Sequence, residues 1–485
     1  DDIIVHDAPS VTEQQAQPMY VGRVQVYPKD VRGTFRRIKW IVLGVLLAIY
    51  YLVPWIRWDR GPNAPDQAVL IDMVNRRAYF FFIEIWPQEL YYLAGLLILA
   101  AVGLFFVTSL FGRLWCGYSC PQTVWTDLFM WVERRIEGDR AQRIRFDKMP
   151  MTANKAVRKA AKHVAWIVIA MLTGGAWIMY FNDAPTVTAN LLTGQASGKV
   201  YFFFGLFSLT TYLFAGWARE QVCTYMCPWP RFQAAMFDED TLTVTYQRWR
   251  GEPRGKYRKN ESWEGRGDCI DCNACVAVCP TGIDIRDGQQ LECIGCGLCV
   301  DACNEVMGKI GRPRELVTFD TEANQEALED GKPRPRFKLI RVRTLFYALL
   351  FAGIGRAMLV RLFFRGTLDI NVLHDRNPLF VTLSNGDIRN GYTIKILNKT
   401  REPRAFVLEF EGIPGAALNV VGLGETDADT VLLSADPDSV ATYQVFVRVP
   451  RAEVKGASAP ATFTLSDHSR RERVVYETVF RGPER

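Results

Sequence analysis

The sequence predicts a multi-domain membrane protein: a five-helix transmembrane α bundle, interrupted by a cysteine-rich insert and followed by a C-terminal β-sandwich. Three observations carry this expectation. Five apolar runs in the 485 residues are each about 20 residues long, enough to cross a hydrocarbon layer of ~30 Å. All twelve cysteines lie in short motifs, and none follows Cys303. Beyond residue 367 the texture changes to short alternating runs.

The apolar runs cover 38–58, 90–110, 164–181, 200–217 and 345–364, with tryptophans near their ends (Trp40, Trp55, Trp58, Trp86, Trp115, Trp166), as membrane–water interfaces favour. The net charge of +6 is mild, and the basic residues border the apolar runs instead of forming the stripe that nucleic acid requires. Membrane lipid is the expected partner, and no nucleic acid. Arg23, Lys29, Arg32, Arg36, Arg37 and Lys39 flank the start of the first run, and residues 134–162 hold ten Lys and Arg. The connections near 59–87 and 182–198 carry roughly balanced charge. The positive-inside rule therefore places the N-terminus in the cytoplasm of a bacterial inner membrane and, after five crossings, the C-terminal domain in the periplasm. The cysteines point the same way, since thiols stay reduced inside and the predicted exported domain has none. The first residue is Asp1, so the natural start is expected upstream, and no tripartite signal peptide is visible.

The predicted division is a cytoplasmic N-terminal segment (1–37), four spanning helices (38–237), a cytoplasmic insert (238–338), the fifth spanning helix (339–366) and a periplasmic domain (367–485). In the last of these, alternating stretches at 392–397, 405–410, 442–449 and 474–480 are separated by Gly, Pro, Asn and Asp. That rhythm predicts an immunoglobulin-like sandwich of ~100 residues, without the Cys and Trp of antibody domains.

The insert holds Cys269, Cys272, Cys275 and Cys279 followed by Pro280, in the pattern C-x2-C-x2-C-x3-C-P. Cys293, Cys296, Cys299 and Cys303 repeat the spacing, with Asn304 where proline is usual. Three closely spaced thiolates cap one face of a cubane while the fourth reaches the other cluster. The pattern thus predicts a ferredoxin-like domain with two 4Fe–4S clusters. One takes Cys269, Cys272, Cys275 and Cys303; the other takes Cys293, Cys296, Cys299 and Cys279. Zinc sites pair two C-x2-C hooks and do not use two such runs.

Cys116-Gly-Tyr-Ser-Cys120-Pro121 and Cys223-Thr-Tyr-Met-Cys227-Pro228 are one hexamer, C-x-Y-x-C-P, used twice after the second and fourth apolar runs. A helical backbone would stack each pair of sulfurs on one face, one turn apart. The prolines mark a break or a new helix start. Three readings stay open: a copper or redox thiol site suited to Cu(I), a third metal or iron–sulfur site, and two disulfides, which a reducing compartment disfavours.

At these residues the chain resembles the FixG/CcoG (RdxA) family of cytochrome c oxidase accessory proteins. The resemblance covers nearly the whole chain. It rests on Tyr27-Pro-Lys through Arg36-Arg37, both hexamers, the double cysteine run and Asp387-Ile-Arg-Asn-Gly-Tyr-Thr-Ile-Lys. It implies an oxidoreductase, a cupric reductase that converts Cu(II) to Cu(I) on the cytoplasmic side for assembly of a cbb-type oxidase. The eight ferredoxin cysteines would hold the clusters, and Cys116, Cys120, Cys223 and Cys227 would contact the copper ion. Implied partners are an unidentified cytoplasmic electron donor and a copper exporter or oxidase assembly factors; a homodimer is left open. The hexamers alone also resemble the polyferredoxin subunits of nitrate and nitrous-oxide respiration. The alternatives are therefore a quinol-linked electron-transfer subunit, or a redox-sensing scaffold whose exported domain binds oxidase subunits.

Four histidines are present: His6, His163, His374 and His468. Only His163, at the edge of the third run, is placed to reach a metal, and an interfacial structural role is the commoner one. Spanning helices without paired histidines exclude a membrane dihaem cytochrome. Arg356 inside the fifth run either faces protein or water, or snorkels to the interface. The stretch 79–86 is too short and too charged to span, and Glu84 in it has no assigned role. Gly353-Ile-Gly lacks the strand–turn–helix setting of a nucleotide site, so no NAD or flavin is expected.

Overall fold

The computed structural model describes residues 5–8, 10, 25–61, 64–258, 262–335, 337–423, 428–454, 456–467 and 469–483. Arg23 and His468 lie outside them. The chain divides into two units, residues 1–58 with 67–358 and residues 59–66 with 359–485.

Among the described residues five helices are long and apolar enough to cross a membrane: Thr34–Trp55, Pro87–Phe111, Ala153–Met179, Gly198–Ala218 and Val342–Phe363. Each overlaps one predicted run. The third starts well before residue 164, because Thr152 caps it by accepting from the Lys155 N–H at 3.2 Å. Lys and Arg are good helix formers, so the basic stretch that hydropathy assigns to a loop continues the helix. Arg356 lies exposed on the fifth helix.

Much of the basic charge between the second and third spanning helices turns inward. Pro121 opens an amphipathic helix, Pro121–Glu137, and Arg140–Lys148 follows it. Glu133 on the first of these is buried among Arg143 at 2.6 Å, Arg219 at 2.9 Å and Lys162 at 3.5 Å. Burial alone would raise its carboxyl, but Arg219, Arg143 and Lys162 hold it at about 2. Asp127 binds Arg36 Nη1 through both oxygens at 2.9 Å and lies 3.7 Å from Lys39. These buried pairs tie the first, third and fourth spanning helices to the amphipathic one.

The stretch at 79–86 does not span. It belongs to a three-stranded antiparallel sheet, β1 (Val69–Asp72), β2 (Arg77–Phe80) and β3 (Ile83–Ile85). Glu84 has a partner there in Arg77 at 3.0 Å, whose guanidinium stacks 3.7 Å over Trp86.

In the insert, β4 (Thr243–Tyr246) pairs antiparallel with β5 (Val317–Asp320) beside helix Leu298–Lys309. Val244, Ile285, Val300, Met307 and Val317 form an apolar core around the cysteines. Asn304 continues that helix where proline would end it, and its Oδ1 accepts from the Glu315 N–H at 2.7 Å.

The second unit holds two antiparallel sheets. The strands are β6 (Leu368–His374), β7 (Val381–Thr382), β8 (Ile388–Asn398), β9 (Arg404–Glu411), β10 (Ala417–Val420), β11 (Thr430–Ala435), β12 (Ser439–Val449), β13 (Ser458–Asp467) and β14 (Glu472–Arg481). One sheet has the order β10-β12-β8-β6, with β7 on β8, and the other β11-β9-β13-β14. Period-two alternation puts Tyr392, Ile394, Phe406, Leu408, Val445 and Phe463 into one shared core. The four alternating stretches all fall inside β8, β9, β12 and β14, as a sandwich requires.

Candidate functional site

The two ferredoxin runs fold alike. Between the first and second cysteines the chain enters the left-handed region at Asp271 (φ 55°) and Gly295 (φ 65°). Between the second and third it does so again at Asn273 (φ 55°) and Gly297 (φ 72°), each opening a helix, Ala274–Ala277 and Leu298–Lys309. Two left-handed residues per run curl the backbone between the three closely spaced cysteines, and Asn, Asp and Gly are the residues that tolerate this conformation.

Thiols of both runs come together in the insert. Cys275, Cys279, Cys293, Cys296 and Cys299 line one apolar cavity. Cys303 feels the charges of Cys272 and Cys269, and Cys275 those of Cys303 and Cys272. Burial pushes the Cys293 and Cys303 thiols up to about 12, so protein surroundings alone would leave them protonated. These cysteines would hold iron as thiolates, and the bound clusters would supply one-electron storage. Among the described residues no three His, Cys, Asp or Glu side chains close on a point that one metal ion could occupy. The eight-thiol set, in two runs of ferredoxin spacing, fits cubanes.

The two hexamers adopt the same unusual turn. Trp115–Ser119 and Val222–Met226 are π-helical, closed by Cys120 N–H to Trp115 O and Cys227 N–H to Val222 O, both at 2.8 Å. The α-helical stacking of sulfurs expected from the i,i+4 spacing is thus replaced by a wider turn. Cys120 and Cys227 are extended because each precedes a proline, which disfavours the helical conformation before it. Pro121 is the first residue of a helix, as expected.

The four thiols of the hexamers are gathered together. Burial pushes Cys116 up to about 12, with Cys120, Cys223 and Cys227 adding to the rise and Arg113 opposing it. Cys223 is also pushed to about 12 by burial, then by Cys120, Cys227 and Glu220, against Lys39. The Cys116 thiol donates to Gln233 Oε1 at 3.0 Å, and all twelve cysteines are free.

This thiol group abuts the second cysteine run. Cys116 packs into the apolar cluster of Ile294, Cys296 and Leu298. A Cβ on Gly117 would lie 2.9 Å from Ile294 O and 3.0 Å from Gly295 O, so only glycine allows the approach. Tyr118 Oη donates to Cys296 O at 3.0 Å. Arg113 donates to Leu291 O, to Cys293 O at 2.7 Å and to Pro230 O at 3.0 Å, joining the second run to the short helix Trp229–Ala234 after the second hexamer. Asp301, between Cys299 and Cys303, accepts from the N–H groups of Phe35 (3.3 Å) and Arg36 (2.8 Å) and so caps the first spanning helix.

Comparison with known proteins agrees with this architecture. The 4Fe-4S dicluster domain family matches residues 218–322, a 4Fe-4S binding domain family matches 93–138, and the IG-like fold at the C-terminus of FixG matches 358–483. The nitrogen fixation protein FixG of Rhizobium meliloti is 49% identical over 98% of this chain and 96% of its own length. The chain belongs to the FixG/RdxA family. The family's RdxA protein from Cereibacter sphaeroides is 48% identical over 93% of this chain and 94% of its own. The ferredoxin-type protein NapH of Escherichia coli is 24% identical over 57% of this chain. This FixG/RdxA member is accordingly an iron–sulfur electron-transfer protein with membrane helices. The matched iron–sulfur regions take in both hexamers as well as both runs.

Sequence reasoning on this family member found every cysteine but missed Arg113, Gly117, Tyr118, Gln233 and Asp301. A signal existed for Tyr118, the shared tyrosine of the hexamers, but it is buried while its counterpart Tyr225 is 62% exposed. His163 does not join the thiols; its Nδ1 pairs with Tyr212 Oη at 2.9 Å and its ring meets Trp166 edge-on.

Proposed function

We propose that the chain takes single electrons from a cytoplasmic donor and delivers them to Cu(II) at Cys116, Cys120, Cys223 and Cys227, releasing Cu(I) for assembly of a cbb-type oxidase. The basic flank of the first helix supports a cytoplasmic site with the sandwich in the periplasm. Each Cu(II) accepts one electron, and no bond within the protein is made or broken. The observation that carries the reading is the packing of Cys116 against Ile294 and Cys296, which puts soft thiols beside the second ferredoxin run. Thiolates favour Cu(I), so one set of side chains serves both capture and reduction.

The test is direct. Anaerobically reduced protein, mixed with Cu(II) and a Cu(I)-specific chromophore, should yield about two Cu(I) per chain, one for each cluster. Serine at all four hexamer cysteines should abolish this with iron retained. Copper reduction that survives the four substitutions overturns the site assignment.

One observation favours a second reading of the donor. A cavity of about 390 Å³ lies among the spanning helices, walled by Tyr50, Trp125, Trp177, Phe207 and Phe214, and Pro121, the residue after Cys120, is part of its lining. Size and aromatic lining suit a quinol head group. Reduction of the clusters by a short-chain quinol would favour this quinol-linked reading, and its absence would favour the cytoplasmic donor.

A further inference from the structure

A second and larger cleft, of about 810 Å³, opens where the first spanning helix begins. Arg32, Arg36 and Arg37 line it from the helix start, and Arg134 and Arg135 from the end of the amphipathic helix. Two acids, Asp30 and Asp139, share the lining, so the charge of the wall is strongly positive.

The arginines are not satisfied by the protein. Arg36, with its side chain 7% exposed, spends Nη1 on Asp127, but its Nε and Nη2 are buried without a hydrogen-bond partner. Arg134, 11% exposed, has a buried Nη2 in the same condition; its Nε lies 3.8 Å from Asp30, and Asp127 also acts on its charge. Asp139 Oδ1 is already engaged by the Asp30 N–H at 2.9 Å. Among the described residues no acid pairs with Arg32, Arg37 or Arg135. Three exposed arginines without an acid partner, backed by the buried Arg36 and the largely buried Arg134, give this wall a positive charge that an anion would offset.

The rest of the wall says which anion. Trp40 and Trp131 meet edge-on at 6.4 Å, with the Arg36 guanidinium 4.6 Å over one ring and Arg135 5.5 Å over the other. Tryptophans at a helix end sit at head-group depth. Ile41 continues the wall into the spanning helix and is 57% exposed. A cleft with arginines above and apolar side chains below is built for an amphiphile; a soluble anion has no use for the apolar part. Basic pockets between membrane helices bind anionic head groups in this way.

We propose that this cleft binds the phosphate head group of an anionic phospholipid. The lipid phosphate accepts from the exposed guanidinium groups of Arg32, Arg37 and Arg135, backed by the charges of the buried Arg36 and the largely buried Arg134. The site also reaches the redox centre, because the Arg36 N–H is capped by Asp301 of the second cysteine run.

The full chain, freed of lipid in neutral detergent, would be titrated with phosphatidylglycerol, phosphatidylcholine and inorganic phosphate, with bound lipid counted by native mass spectrometry. Saturable phosphatidylglycerol binding that phosphatidylcholine does not share is expected. An arginine near a membrane surface contributes about fivefold in affinity, so Arg37→Gln with Arg135→Gln should weaken binding roughly 30-fold. Retained iron shows that the variant is folded; if iron is lost, each single substitution should still weaken binding about fivefold. Equal binding by folded variants, or equal binding of the two lipids, overturns the proposal. Displacement of the lipid by equimolar inorganic phosphate reassigns the site to a soluble phosphate and also overturns it.

Discussion

The two cysteine runs share a spacing and a backbone path, but they are braced in opposite ways. The first is held from within. Arg286 grips Asp284 through both oxygens, Asp271 at 2.6 Å and Asn273 Oδ1 at 2.7 Å. The second is held from outside, by Arg113 at the membrane edge reaching the carbonyls of Leu291 and Cys293. The difference traces to two matched positions, where Asp271 and Asn273 of the first run face Gly295 and Gly297 of the second. A Cβ at 295 would lie 3.2 Å from the Cβ of Arg113, and one at 297 would lie 2.8 Å from the Phe35 ring. The docked run has given up its side chains to admit its neighbours, which leaves only carbonyls to hold. Duplication makes two equal halves, and contact with the rest of the molecule makes them unequal.

The sharpest way to break this comparison is to cross the runs. Cys279 lies in the first run but lines a cavity with Cys293, Cys296 and Cys299 of the second; on the crosswise assignment Cys279→Ser should cost about four of eight irons and stop electron delivery to the hexamer thiols. Cys303→Ser should lose as much iron and still deliver electrons from a strong chemical reductant. Iron analysis with single-turnover copper reduction decides it, and delivery that persists in Cys279→Ser refutes the crosswise assignment.

The braces come next. Arg286→Met strands the buried Asp284 carboxylate, at an expected cost of about 3–5 kcal/mol, and should release the first cluster early in a denaturant titration. Arg113→Met leaves carbonyls unpaired, costing about 1–3 kcal/mol, and should release the second cluster instead. Loss of visible absorbance and of each electron-spin signal separates the two. Both variants releasing the same cluster would refute separate braces.

The smallest effect compares the hexamers. Tyr118→Phe removes the bond to Cys296 O and should cost about 1 kcal/mol, whereas Tyr225→Phe at an exposed position should stay within ~0.5 kcal/mol. Thermal unfolding of the full chain measures both, and equal losses would mean that the hexamers are equivalent.

Hydropathy and spacing were good guides where the property is local. All five spanning helices, the double run and the strands of the sandwich were legible, because each follows from a period or a length within one segment. The basic residues at 134–162 were read as topology charges, but Arg143 and Lys162 are buried partners of Glu133. Net charge cannot distinguish a lysine in water from one in a cage. The stretch at 79–86 was legible as non-spanning, yet the partner of Glu84 became visible only once Arg77 was folded back beside it.

Residue types at fixed spacing were enough to establish what the molecule carries: iron–sulfur centres, membrane helices, paired thiols. Cysteine ligation and apolar length depend on neighbours along the chain. What those parts do to one another was decided by folding. Gly33 must be glycine because Asp301, far along the chain, occupies the space of its Cβ, and Arg113 matters because two distant loops bring their carbonyls to it. Such contacts join residues that no period links, so only the assembled structure could set the hexamer thiols beside the second cysteine run.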